Sequence, residues 1–183
     1  MRALLDACVL YPTVMRELLI EAARAGLYEP CWSERIVEEW ARAAAKHGVD
    51  GEMAARSEIT LLNVAFPRAQ YRPSEDLIRR LWLPDPNDTH VLAAAIVSSA
   101  DTIITMNAKD FPRNILAEEG LKRDDPDYFL LQLALAQPAL MQSVVAGVKT
   151  TADRLSGSVW DQRALLKKAR LPRLAKHLAT SGA

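Results

Sequence analysis

Short apolar stretches alternate with longer helical patterns over the first two thirds of this 183-residue chain. Ala3–Asp6 and Asp101–Thr105 are short and rich in aliphatic or β-branched residues, which is typical of buried strands. Between them lie segments with apolar residues at helical spacing, such as Thr13–Ala25, which ends at Gly26. Strands that alternate with helices of this length form parallel βαβ units. The sequence therefore predicts a three-layer α/β/α domain around a central parallel sheet.

Capping residues and hydrophobic periodicity place the remaining elements. We expect strands over Leu27–Cys31, Gln70–Arg72 and Leu121–Lys122, helices over Glu34–His47, Glu52–Ala65, Ser74–Trp82 and Asp85–Ser99, a connection over Cys8–Pro12 and a loop or short helix over Phe111–Glu119. The strand pattern then stops, and four helices are predicted over Tyr128–Gln137, Pro138–Leu155, Ser158–Ala169 and Pro172–Ala179. We therefore divide the chain into an α/β domain, 1–123, and an α-helical C-terminal extension, 124–183.

Composition excludes several classes of function. Lysine plus arginine and aspartate plus glutamate number 23 each, so there is no overall basic signal for nucleic acid. The two cysteines provide neither a disulfide framework nor a zinc-binding spacing, and no apolar run reaches membrane-spanning length. Because the N-terminus carries no signal-peptide pattern, we expect a cytoplasmic protein. From Val159 onward basic residues outnumber acids six to one, and Arg163, Lys167 and Arg170 could follow a phosphate backbone or form a solvated helix face.

Acidic and amide side chains follow the two best predicted strands. Asp6 ends the first strand, and Asn107 and Asp110 come soon after the strand that ends at Thr105. In parallel α/β sheets the ligand crevice lies outside the carboxyl ends of the strands. These side chains are therefore expected to lie near one another at a binding site.

A turn rich in proline, asparagine and aspartate leads into a helix of small apolar residues between Leu83 and Ile96. Asp85 suits the N-cap and Pro86 the first helical position, which puts Asp88 at the third. Capping could account for both aspartates, and for Asp85 it is the preferred interpretation. Asp88 is instead a candidate metal ligand, because other acids are predicted beside it.

Carboxylates gathered at one edge of a sheet repel each other unless a cation binds among them. An all-oxygen site of this kind suits Mg²⁺ or Mn²⁺, which can lower the pKa of a bound water and screen phosphate charge. One acid from the helix over Glu34–His47 would complete the set. Glu39 is preferred over Glu38, because Glu39 shares a helix face with Ile36 and Ala43 whereas Glu38 groups with charged residues.

The candidate site therefore consists of three acids as metal ligands and two residues that could place the attacking water: Asp6, Glu39 and Asp88, with Asn107 and Asp110. Asn107 can offer an amide oxygen, and Asp110 either substitutes for it or caps the short helix after Phe111. Thr105 could hydrogen-bond a ligand carboxylate, although a strand threonine needs no such role.

Other residues have weaker claims to a function. His90 could touch a substrate, but a partly exposed helix histidine is the commoner case. Cys8 is near the predicted acids, yet no glycine-rich phosphate loop follows it, so a catalytic thiol is not favoured. The four tryptophans are expected mostly in the core.

Four segments resemble, in order and at suitable spacing, the successive signatures of a PIN-domain ribonuclease, and within that superfamily the VapC-type toxins of bacterial toxin–antitoxin pairs. These segments are Leu4–Leu10, Val37–Trp40, Asp85–Ala95 and Ile104–Pro112. The resemblance covers about residues 1–123, and the helices that follow look like the C-terminal extension that some members carry.

The resemblance implies Mg²⁺- or Mn²⁺-dependent endonucleolytic cleavage of RNA, often tRNA. It also implies a cognate antitoxin that blocks the site and a tendency to form a homodimer. Carried over by position, the acidic set is Asp6, Glu39 and Asp88, with Asn107 in the fourth place, where many members have aspartate. The neutral side chain leaves a second metal open, with Asp110 as a substitute.

Two alternatives from other classes remain. One is a non-catalytic RNA- or protein-binding module that keeps the α/β frame, and metal-independent RNA binding without turnover would favour it. The other is a small metal-dependent phosphatase, which competition between RNA and a phosphomonoester would distinguish from a nuclease.

Overall fold

A computed structural model of the chain describes residues 1–181, and within them five strands form one parallel sheet. The strands are β1 (Arg2–Leu5), β2 (Glu29–Ser33), β3 (Gln70–Tyr71), β4 (Thr102–Ile104) and β5 (Lys122–Asp124). Their order is β3-β2-β1-β4-β5, so the chain builds outward from β1 on one side and then on the other. The boundary between β1 and β4 is a topological switch point, where α/β folds bind ligands.

Helices flank this sheet and continue after its last strand. They are α1 (Ala7–Leu10), α2 (Thr13–Arg24), α3 (Glu34–Ala44), α4 (Val49–Ala65), α5 (Glu75–Arg80), α6 (Thr89–Val97), α7 (Arg113–Glu118), α8 (Pro126–Ala136), α9 (Pro138–Ser156), α10 (Gln162–Lys168) and α11 (Pro172–Ser181). Within residues 1–181, no helix is both long and apolar enough to cross a membrane.

The two central strands are buried on both faces. Ala3, Leu4 and Leu5 of β1 and Ile103 and Ile104 of β4 have no exposed surface. Strands of a parallel sheet that is covered on both faces carry such continuous apolar runs, because no face is left for water. The predicted α/β class, with a parallel sheet flanked by helices and further helices at the C-terminus, is confirmed.

The chain forms two compact units. The first contains the sheet and consists of Met1–Tyr11 and Glu29–Asp124, and the second combines Pro12–Tyr28 with the chain from Asp125 onward. The sequence-based division at residue 123 assigned α2 to the α/β domain, whereas the compact units group it with the C-terminal helices. The division into 1–123 and 124–183 as domains stays a prediction.

In the second unit, α2 packs against α9, and α11 packs against α8 and α10. Aromatic contacts reinforce this core, since the rings of Tyr28 and Phe129 meet edge-to-face with centroids 5.0 Å apart. The buried Tyr28 hydroxyl donates to the carbonyl of Leu19 at 2.9 Å, so its polar atom is satisfied.

Three local expectations differ from the structure. The helix expected over Asp85–Ser99 begins as a 3₁₀ turn, Pro86–Asp88, before α6, and the expected connection after Asp6 is the short helix α1. Trp82 is 67% exposed, so the expectation that the tryptophans lie mostly in the core is wrong for this residue. It lies in the segment between α5 and the proline-rich turn.

Asp127 of α8 holds the start of α11. Its side chain is buried, and its two oxygens accept the backbone N–H groups of Arg173 and Leu174 at 2.9 and 3.0 Å. These N–H groups belong to the first turn of α11, where no intrahelical acceptor exists. Asp127 therefore caps a helix from a neighbouring helix of the same unit.

We predict that Asp127→Ala lowers the free energy of unfolding by about 2–3 kcal/mol, because two buried N–H groups lose a charged acceptor. Urea denaturation followed by circular dichroism measures the loss. Asp161→Ala is the matched control, since Asp161 caps α10 from an exposed position and its removal should cost only about 1 kcal/mol. Equal losses in the two variants would contradict the prediction.

Candidate metal and active site

Asp6 stands at the carboxyl end of β1, next to the end of β4. Its backbone N–H donates to the carbonyl of Ile104 at 3.2 Å, which continues the ladder between the two strands. On its buried side chain, Oδ2 accepts the Thr105 hydroxyl at 2.7 Å and the Cys8 thiol at 3.0 Å. Since both bonds fall on Oδ2, Oδ1 is the oxygen that can face a cation.

The Cys8 thiol supports Asp6 and is not a nucleophile. Burial, followed by the nearby charge of Asp6, raises the pKa of Cys8 to about 12, so the thiol is protonated at neutral pH. Its sulfur also accepts the backbone N–H of Met106 at 3.2 Å. Cys8 thus links the segment after β1 to the segment after β4.

Three carboxylates lie together where the turn before α6 meets the segment after β4. One oxygen each of Asp85, Asp88 and Asp110 lies within 4.8 Å of the other two, and all three residues are half-buried. Within residues 1–181, this is the only group of three or more acid, histidine or cysteine side chains that approach each other so closely. We call it the acid group.

The acid group contains two predicted site residues and one that the sequence interpretation set aside. Asp85 does cap the 3₁₀ turn, because its Oδ1 accepts the backbone N–H of Asn87 at 2.9 Å. It nevertheless belongs to the acid group as well. The capping pattern at Pro86 concealed this second role, and the sequence signal that could have indicated it is the spacing of three residues between Asp85 and Asp88.

The carboxylates act on one another electrostatically. Burial is the largest cause of a raised Asp88 pKa, and the charges of Asp6, Asp85 and Asp110 add to it, bringing the value to about 6. Asp6 is therefore electrostatically part of the same site, although it lies outside the acid group. Oxygen donors whose ionisation is mutually unfavourable fit a divalent cation such as Mg²⁺ or Mn²⁺.

Asn107 connects the acid group to the end of β4. Its side-chain Nδ2 donates to Oδ2 of Asp88 at 3.2 Å, and its backbone N–H donates to the Thr105 hydroxyl at 2.9 Å. The suggestion that Asp110 caps the following helix is wrong, because Pro112 precedes α7 and no side chain caps it. Asp110 contributes to the acid group instead.

Glu38 and Glu39, adjacent on α3, have different surroundings. Glu38 bonds to Arg42 and Arg56, which lower its pKa to about 2. Burial alone would raise the pKa of Glu39, but His90 and Arg35 hold it below its ordinary value. Glu39 thus faces the helix that follows Asp88, without being a member of the acid group.

His90 is buried, with 1% of its side chain exposed, so the expected partial exposure is wrong. The reason is that the first two turns of α6 are covered on all sides, as the run of small apolar residues from Val91 to Ala95 indicates. Nε2 of His90 lies 2.9 Å from Oε1 of Glu39, but neither ring nitrogen makes a well-aligned hydrogen bond.

The carboxylates lie at the topological switch point of a parallel α/β sheet, which is where proteins of this fold class bind their ligands. The sequence profile of the family described as "PIN domain" matches residues 2–109, more than half of the chain. The chain therefore belongs to the PIN-domain family, and the family prediction is confirmed.

One curated relative carries a more specific name. "Putative ribonuclease VapC50" of Mycobacterium tuberculosis (strain ATCC 25618 / H37Rv) is 44% identical to this chain over 62 residues. That stretch is 33% of this chain and 36% of the relative, so the chain matches about a third of the relative's length. No solved structure shows significant similarity.

The raised pKa of Asp88 predicts a pH-dependent cost of its charge. In the folded, metal-free protein the pKa of Asp88 is about 6, above the ordinary value of 3.8. Protonated Asp88 therefore carries no penalty at low pH, and the free energy of unfolding falls as the pH rises from 3.8 through 6. Asp88→Asn, which cannot ionise, should then raise the free energy of unfolding at pH 7.5 by about 1–2 kcal/mol, allowing for partial exposure. At pH 4.5 the gain should fall to about a third of this value, because most of Asp88 is then protonated in the folded protein.

Urea denaturation in EDTA at the two pH values measures this difference. Asp76→Asn is the control, because Asp76 is an exposed aspartate of α5 outside the acid group. The same change in stability at both pH values for Asp88→Asn would show that the charge of Asp88 costs nothing in the metal-free protein.

Proposed function

We propose that this PIN-domain protein is a metal-dependent endoribonuclease and the toxin of a VapC-type toxin–antitoxin pair. The observation that carries the proposal is the set of mutually repelling carboxylates at the switch point, with Asp88 at their centre. Membership of the PIN-domain family and the name of the partial relative support RNA as the substrate.

In this proposal Asp6, Glu39 and Asp88 hold Mg²⁺ or Mn²⁺, and Asp85 adds negative charge beside them. The bound cation would polarise the scissile phosphodiester and acidify a water molecule. Asn107 and Asp110 would orient the attacking water, and the proximity of both side chains to Asp88 supports this assignment.

The remaining contacts hold the ligands in position. Thr105 and Cys8 fix the Oδ2 atom of Asp6. Arg35 bonds to Glu39 and also donates to the backbone carbonyl of Asn87 at 3.3 Å. Helix α3 is thereby attached to the turn that carries Asp88, so Glu39 keeps its place relative to that turn.

The proposal includes partners and a location. The substrate would be cellular RNA, with tRNA as the first class to test, and a cognate antitoxin would block the site. We further propose a homodimer that acts in the cytoplasm. A non-catalytic binding module would not need the charge repulsion of the acid group, and for this reason the nuclease is preferred.

We predict that purified protein cuts total tRNA into discrete fragments with Mg²⁺ or Mn²⁺ and not with EDTA. Asp6→Asn and Asp88→Asn should each lower the cleavage rate by more than about 100-fold, because loss of a mere supporting partner of a metal ligand already costs about 10–100-fold. Gel electrophoresis of end-labelled RNA measures the rates. Circular dichroism checks that the variants are folded.

Glu39→Gln should lower the cleavage rate as strongly as Asp6→Asn. Glu38→Gln is its matched control and should cause a much smaller loss, since the two residues are adjacent and only Glu39 is proposed as a ligand. Undiminished cleavage by Asp6→Asn would defeat the site assignment. RNA binding without turnover in any metal would favour the non-catalytic module. Preferential hydrolysis of a chromogenic phosphomonoester in competition with RNA would favour the phosphatase.

We predict that Thr105→Val lowers the cleavage rate by about 10–100-fold, since Asp6 loses the hydroxyl that orients it. Thr102→Val is its control: Thr102 is a buried threonine at the start of β4, and its hydroxyl bonds to Asp124 at 3.1 Å. Thr105→Val also removes the acceptor of the Asn107 N–H, so the expected result is a somewhat larger loss of stability than in Thr102→Val and a much larger loss of activity. Equal activity in the two would contradict a positioning role for Thr105.

A further inference from the structure

A cleft of about 370 Å³ with several charged side chains in its walls lies at the carboxyl ends of β2 and β3. Its walls come from the first turns of α3, from the segment after β3 and from α5. This volume is within the range of small-molecule sites. The side chains that define its chemistry are Glu34, Arg35, Tyr71, Arg72, Glu75 and His90. We call this the β2–β3 cleft.

The β2–β3 cleft adjoins the segment from Asn87 to His90, which carries the proposed ligand Asp88. Arg35 lines the cleft and donates to the carbonyl of Asn87, the residue before Asp88. His90, two residues after Asp88, also lines the cleft. A strand of RNA at the acid group would therefore extend into it.

His90 is buried at the wall of the cleft: its Nε2 lies 2.9 Å from Oε1 of Glu39, whereas Nδ1 has no hydrogen-bond partner among the described residues. Only 1% of the His90 side chain is exposed, and both of its ring nitrogens are buried. Buried polar atoms normally have hydrogen-bond partners, because a buried donor or acceptor without one costs free energy. An imidazole of this kind at the wall of a cleft points to a ligand with polar atoms of its own.

The charged lining residues divide into paired and unpaired groups. Arg35 pairs with Glu39, and Glu38 pairs with arginines of α3 and α4. Among the residues that the structure describes, Arg72, Glu34 and Glu75 line the cleft without an ion pair. The cleft therefore offers one free guanidinium and two free carboxylates.

These groups match the parts of a nucleotide. A guanidinium binds a phosphate group, and a glutamate carboxylate accepts hydrogen bonds from an exocyclic amino group of a base. The ring of Tyr71, half-buried at the end of β3, provides a surface on which a base can stack. A bare phosphate would not use the carboxylates, and an apolar side chain would use none of the charged groups.

We propose that the β2–β3 cleft binds a nucleotide of the RNA strand next to the scissile bond and favours bases with an exocyclic amino group over uracil, which has none. Arg72 contacts the phosphate, and Glu34 and Glu75 accept from the base. The inference rests on the proposed ribonuclease function for its biological role. Nucleotide binding to the cleft can be measured without cleavage.

The first test titrates AMP, CMP, UMP and inorganic phosphate separately into the metal-free, isotope-labelled protein and follows backbone NMR signals. AMP and CMP should shift the signals of Tyr71 and His90, with UMP binding at least about 5-fold more weakly, as expected for one specific base contact. Arg72→Ala should weaken AMP binding several-fold. Arg80→Ala, which removes an exposed arginine of α5 outside the cleft, should not.

Several outcomes would overturn the inference. They are equal binding of UMP and AMP, equal losses in Arg72→Ala and Arg80→Ala, shifts confined to residues outside the cleft, or identical shifts with inorganic phosphate alone. None of these depends on whether the protein cleaves RNA. Nucleotide binding in the cleft without RNA cleavage would instead support the proposed nucleotide site and count against the proposed nuclease activity.

The second test sequences the ends produced from a random RNA pool. The wild-type protein should show a preference against uracil at one position beside the cut, and Glu75→Gln should weaken that preference while cleavage continues. Asp76→Asn is the control, because it neutralises the neighbouring exposed acid, which does not line the cleft. An unchanged preference in Glu75→Gln would remove the cleft from substrate selection and leave the nuclease proposal intact.

Discussion

The pairing of β1 with β4 is the constraint on which the site depends. Leu5 of β1 lies opposite Ile104 of β4, so the residues that follow, Asp6 and Thr105, come together at the same edge. The order of the sheet reverses at this boundary, which leaves a crevice that no crossover helix fills. A register shift of one residue would turn Asp6 to the other face of the sheet and separate it from Thr105.

Negative charge is concentrated at the same edge of the sheet, and the surrounding segments fix the positions of the carboxylates that carry it. Asp85, Asp88 and Asp110 come from two segments, so each ordered loop brings carboxylates closer than their charges favour. Buried helix α6, with no exposed surface from Val91 to Ala95, anchors one segment. Natural proteins accept such local conflict mainly at functional sites, because a bound ligand relieves it.

The sequence could predict those parts of the structure that rest on local patterns. Apolar runs indicated the strands, the alternation of elements indicated parallel pairing, and strand ends placed Asp6 and Asn107 at one edge. Asp85 was interpreted as a cap, which it is, but a local pattern cannot show that a capping carboxylate also approaches acids distant in sequence. The burial of His90 and the grouping of α2 with the C-terminal helices depend on packing between distant segments, which periodicity does not encode.

Helix α3 shows how one regular element can serve two purposes. Successive residues point about 100° apart on a helix, so Glu38 and Glu39 belong to different faces. On one face, Arg35 and Glu39 pair across one turn and contact Asn87 and His90. On the other, Glu38 pairs with arginines of α3 and α4.

The second face of α3 therefore fixes the helix against its neighbour, while the first carries the charges that reach the proposed active site and the β2–β3 cleft. Because both faces belong to one rigid helix, the ion pairs of Glu38 help to set the position of Glu39 and Arg35. Neutralising Glu38 removes support for the helix, whereas neutralising Glu39 alters the charge beside His90 directly. Two adjacent acids thus have different partners within a single turn: Glu38 pairs with an arginine of α4, and Glu39 lies beside His90.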